Sequence, residues 1–75
     1  MESKLSISIK KWGRDKVASL LSEGYQLLYN FTDTSPYSSK AKLKHSNGNV
    51  VIVSLVFNIA EVWKNGKCVH SEKFR

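Results

Sequence analysis

Lys40-Ala41-Lys42-Leu43-Lys44-His45-Ser46-Asn47-Gly48-Asn49-Val50-Val51-Ile52-Val53-Ser54-Leu55-Val56-Phe57 decides the fold. Its first part alternates lysine with small or apolar side chains, the period of two that a half-exposed strand imposes. Its last eight residues are apolar on both faces, as a central strand requires. Between them, Asn47-Gly48 tolerates the positive φ angles of a two-residue type I′ turn. The stretch therefore predicts an antiparallel hairpin.

That turn would fix a register. Ser46 falls opposite Asn49, and counting back pairs Lys44 with Val51, Lys42 with Val53 and Lys40 with Leu55. Directly paired residues share a face of the sheet. One face is thus expected to carry Lys40, Lys42 and Lys44 beside Val51, Val53 and Leu55. The other would carry Ala41, Leu43 and His45 beside Val50, Ile52 and Ser54.

Working outward, Tyr25 to Thr32 alternates with Tyr25, Leu27, Tyr29 and Phe31 on one side, which reads as a strand. Residues 32–39, rich in turn formers and holding the single proline, read as a loop. Downstream, Ala60–Lys64 and Lys67–Ser71 flank Asn65-Gly66, a second hairpin signal. Upstream, Leu5-Ser6-Ile7-Ser8-Ile9 alternates strictly and predicts a first strand. Asp15 to Glu23 changes period: Val17, Leu20 and Leu21 make an apolar stripe, with Gly24 placed to end the helix. A longer helix starting at Ser8 competes with this reading, and the interior Gly13 argues mildly against it. The expected class is α+β, a single mostly antiparallel sheet in the order β-α-β-β-β-β-β with one short helix packed on one face.

Seventy-five residues leave room for one domain, residues 1–75. Such a chain buries only about 60% of its unfolded surface. Cys68 is alone, so no intrachain disulfide forms, and Cys68, His45 and His70 match no zinc-ligand spacing. No metal or cofactor is expected. A partner subunit remains as the source of extra burial, so a homodimer is expected, with Val51, Val53 and Leu55 as its contact or as a partner-binding face. One short helix covers one sheet face, which leaves the other free for this purpose.

The lone cysteine, the lack of a signal-like apolar run after Met1, and an apolar maximum of eight residues predict a cytoplasmic protein without a membrane span. Asn30-Phe31-Thr32 matches a glycosylation sequon, but without a secretion route that match is read as chance.

No nucleotide-binding glycine loop and no HExxH motif is present, and the six acids are dispersed. Cys68 and His70 stand at i and i+2, sharing a strand face by proximity, with no third residue to orient the imidazole. The chain is therefore expected not to be an enzyme.

Twelve Lys and Arg against six Asp and Glu give a net charge of +6. Such an excess favours polyanions or an acidic protein surface, and it also keeps a small protein soluble. Lys40, Lys42 and Lys44 recur at about 6.6 Å along one strand face, close to the spacing of phosphates on an extended nucleic acid strand. No acid lies between Asp33 and Glu61. Alternating lysine is also how an exposed strand avoids its neighbours. Lys10, Lys11 and Arg14 (with Lys16) form a second basic group, and Lys64, Lys67, Lys73 and Arg75 a third.

Tyr37, in the polar loop, is the best candidate to stack on bases, with Trp12 and Trp63 also near basic groups. Tyr25, Tyr29, Phe31 and Phe57 are assigned to the core. These features predict a small basic protein that binds nucleic acid, RNA or single strands, through a lysine-lined sheet face. The competing class is a small accessory protein of the phage or mobile-element type that inhibits or modulates a protein partner.

Overall fold

The computed structural model describes residues 5–32 and 37–74. One helix, α1 (Ile7–Ser22), precedes five strands: β1 (Gln26–Tyr29), β2 (Ser38–Lys44), β3 (Val50–Val56), β4 (Ile59–Lys64) and β5 (Lys67–Lys73). All neighbours pair antiparallel in the sheet order β1-β2-β3-β4-β5, a meander with no crossover. The class is α+β with a single antiparallel sheet. The centre of the loop read through residues 32–39, at 33–36, lies outside the described residues, as does Arg75.

The predicted first strand is instead the start of the helix. Ser6 is the N-cap, and its hydroxyl accepts from the Ile9 amide at 3.3 Å. Leu5 and Ile9 are buried together, whereas Ile7 is 83% exposed. A strand would have put all three on one face. A helix continues the stripe Ile9, Gly13, Val17 and Leu20 onto the sheet. Gly13 is the reason the helix seats closely, because a Cβ there would meet Leu55 Cδ1 at 2.9 Å and Phe31 Cζ at 3.1 Å. The residue that argued against the long helix is the point where the helix touches the sheet.

The helix covers one sheet face, and the core lies between the two layers. It contains Ile9, Val17 and Leu20 from the helix, and Ala41, Leu43, Val51, Val53, Leu55, Ala60 and Val62 from the strands. Tyr25 and Phe31 pack against it, as expected. Tyr29 and Phe57 do not belong to it: they are 49% and 54% exposed. A bulge between Leu27 and Tyr29 turns Tyr29 to the side of its partner Lys42. Phe57 sits at the β3–β4 turn with φ of 53°.

The register of the central hairpin differs by one residue from that predicted. Lys44 pairs with Val50, Lys42 with Ile52 and Lys40 with Ser54. The cause is the turn. The His45 amide donates to the Asn49 carbonyl at 2.9 Å, and the Gly48 amide to the His45 carbonyl at 3.0 Å, which leaves three residues in the loop rather than two. Only Gly48 takes positive φ, at 97°, and the Asn47 side chain accepts from the Asn49 amide at 2.9 Å. This is the three-residue loop closed by a left-handed glycine. In the second hairpin Asn65 and Gly66 both take positive φ, 52° and 84°, and the predicted two-residue turn forms, with Lys64 opposite Lys67.

A one-residue slip moves every side chain to the other face. Val51, Val53 and Leu55, expected on the partner or dimer face, are therefore buried under the helix at 3%, 0% and 2% exposure.

Candidate nucleic-acid interface

The face opposite the helix takes its residues from alternate positions of five strands. Lys40, Lys42 and Lys44 stand in a row on β2, beside Val50, Ile52, Ser54 and Val56 of β3. On β4, Ile59, Glu61 and Trp63 complete the surface. Tyr29 flanks Lys42 from β1, and Cys68 flanks Trp63 from β5. One line across the sheet thus reads Tyr29, Lys42, Ile52, Trp63, and the next reads Lys40, Ser54, Glu61, Ser71.

A shallow groove runs along this surface, lined by Lys40, Ile52, Ser54, Val56, Glu61 and Trp63. Ser54 at its floor is 5% exposed, enclosed by the side chains of its neighbours. Trp63 donates its indole N–H to Glu61 Oε1 at 3.2 Å, which fixes both side chains on the groove wall. At one end the two Asn-Gly turns are tied together. The Val50 amide donates to Asn65 Oδ1 at 2.8 Å, and Asn65 Nδ2 donates to Asn49 Oδ1 at 3.1 Å. At the other end Tyr37 lies against Phe57, ring centroids 5.5 Å apart, with Tyr37 45% exposed.

The strand lysines take part in neither of the ion pairs formed among the described residues, Lys11–Asp15 and His70–Glu72. Their charge faces solvent: Lys40 and Lys44 are exposed and Lys42 is half-buried, its stem lying between Tyr29 and Ile52 in register. Among the described residues, Glu61 is the acid that shares this face, one strand beyond Ser54 from Lys40.

The structure separates the predicted basic residues. Lys10, Lys11 and Arg14 lie on α1, on the opposite side of the sheet from Lys40, Lys42 and Lys44. Lys11 is engaged at 3.0 Å by Asp15 in an exposed pair, which contributes little to stability. Lys64 and Lys67 flank the second turn, whereas Lys73 pairs with Ile59 at the far end of the sheet, so the C-terminal basic group is not one patch. Trp12 faces the helix side, stacked on His70 at 6.0 Å and edge-on to Phe74.

Cys68 and His70, predicted on one strand face, are split by a bulge between Val62 and Trp63: Cys68 pairs with Trp63 and His70 with Val62. The Cys68 thiol donates to the His70 carbonyl at 3.4 Å, not to its ring. Among the described residues no group of three His, Cys, Asp or Glu side chains is placed to hold a metal ion. No helix among them is long and apolar enough to cross a membrane.

Sequence reasoning missed Tyr29, Ile52 and Glu61 as members of this surface. The Asn65-Gly66 turn carried part of the signal, since alternation back from it puts Trp63 and Glu61 on one side. The bulge that turns Tyr29 outward leaves no mark in the sequence.

Compared with protein-family models, curated proteins and solved structures, the chain matches none.

Proposed function

We propose that this protein is a non-catalytic binder of single-stranded nucleic acid, RNA included, through the sheet face opposite its helix. One observation carries this reading: a row of three lysines, outside the ion pairs formed among the described residues, lies alongside half-exposed aromatic and aliphatic side chains on one open surface. Single strands need both parts, cations along the phosphates and flat apolar groups under the bases. Lys40, Lys42 and Lys44 serve the phosphates. Tyr29 and Trp63, 49% and 37% exposed and on either side of Lys42 and Ile52, serve the bases. A sheet presents these groups in rows about 4.8 Å apart, which suits an extended strand better than a duplex groove.

The direct test is the triple variant K40A/K42A/K44A. For single strands the slope of log affinity against log salt is about −0.7 per phosphate neutralised, so losing three contacts should reduce it by about 2. The expected outcome is weaker binding to any oligonucleotide together with this flatter salt dependence. Unchanged affinity and slope would refute the reading.

The second reading, an accessory protein that modulates a protein partner, is favoured by the aliphatic run Val50, Ile52, Val56 and Ile59 on the same face. Purification with and without nuclease separates the two. A high ratio of absorbance at 260 nm to that at 280 nm, abolished by nuclease, supports nucleic acid. A stoichiometric protein that survives nuclease supports the partner.

A further inference from the structure

Glu61 is out of place on a surface built to hold phosphates. A carboxylate there weakens the attraction of a polyanion, and it forms no ion pair with Lys40 across Ser54. Its position gives it a different use. It stands on the groove wall, one oxygen steadied by the Trp63 indole N–H, beside an aromatic ring and above the buried Ser54. An ionised carboxylate has about four acceptor sites. The indole occupies one, so both oxygens can still accept from a ligand in the groove.

We propose, building on the single-strand reading above, that this groove selects an unpaired guanine. Guanine is the base whose Watson–Crick edge offers two adjacent donors, N1–H and the N2 amino group, which match the two oxygens of a carboxylate. Adenine and cytosine each offer one amino donor next to an acceptor nitrogen, which a carboxylate repels. Uracil offers one N–H between two carbonyls. The guanine ring lies against Trp63, its edge meets Glu61, and its phosphates reach Lys40 and Lys42. Those lysines stand one and two strand spacings from the floor and wall of the groove, about 5 to 10 Å, within reach of a flexible lysine stem. A guanidinium presents the same pair of donors, but the lysine row repels a cation and attracts a strand of phosphates.

The test uses ten-nucleotide oligouridylates carrying U, C, A or G at one central position, titrated by fluorescence anisotropy. The wild type should prefer the G-containing strand by about tenfold, the lower part of the range for a two-point base contact. E61Q replaces one acceptor oxygen with a donor at nearly constant shape. It should bring the four strands to within about twofold of one another while keeping the salt dependence set by the lysines. Wild-type binding to all four strands with equal affinity overturns the guanine assignment and leaves the single-strand reading standing. A G preference that survives in E61Q also overturns it. Failure to bind any strand removes both. Binding of a ten-residue arginine-glycine peptide in place of the strands would assign the carboxylate to a protein ligand.

Discussion

At Gly13 two effects of one methyl group oppose each other. Alanine in a helix interior is favoured over glycine by about 1 kcal/mol. Here, however, the added Cβ would stand 2.9 Å from Leu55 Cδ1 and 3.1 Å from Phe31 Cζ, and Leu55 is 2% exposed with no free direction to move. Overpacking of this kind costs about 1 to 3 kcal/mol. Gly13→Ala is therefore expected to lower stability by about 1 kcal/mol net, read as an earlier midpoint in urea. A later midpoint would show that the helix can lift without penalty. The same residue explains a limit of sequence reasoning, since composition counts a mid-helix glycine as a breaker and cannot see which side chain it admits. Tyr29 and Phe57 make the same point from the other side. Both are large and aromatic, and both are turned out of the core by backbone features, a bulge and a left-handed turn, that no residue type announces.

At the scale of the element, the hairpins and the single antiparallel sheet were legible because alternation and Asn-Gly turns are local signals. The helix was legible over its second half, where Val17 and Leu20 repeat at helical spacing. Its first turn was not, because Leu5, Ile7 and Ile9 fit either period and the cap decides between them. Ser6 closes that turn by accepting from the Ile9 amide. Ser6→Ala should cost about 1 kcal/mol and fray residues 7–10 first, seen as faster amide exchange there with the sheet unchanged. Equal exchange in the variant would mean that burial of Leu5 and Ile9 holds the turn without the cap. At the other end the imidazole of His45 accepts from the Asn47 amide at 3.1 Å and sits 3.3 Å from the Glu23 carbonyl, joining the helix C-terminus to the central hairpin loop. The candidate surface was half legible. The lysine row was plain in the sequence, but its apolar companions depended on counting two loop residues where there are three.

For the molecule as a whole, one helix leaves a five-stranded sheet covered on one side, and the free side is shared between lysines and apolar groups. A second copy laid on that side would compete with a nucleic acid strand. The homodimer expected from so small a chain should then yield to oligonucleotide: light scattering should give a two-chain mass alone and one chain per strand at saturation. A mass that stays at two chains per strand would place the dimer contact elsewhere, on an edge strand. The loop from His45 to Asn49 also bears on how this protein can change over generations. His45 and Asn49 bond to other elements, but Ser46 faces solvent, so point substitutions there should be neutral. The loop's length is freer than its register: with Ser46 removed, His45 would still face Asn49 across a two-residue Asn47-Gly48 turn, and the lysines of β2 would keep their side of the sheet, so this hairpin can drift in spelling and in count while its two strands stay in step.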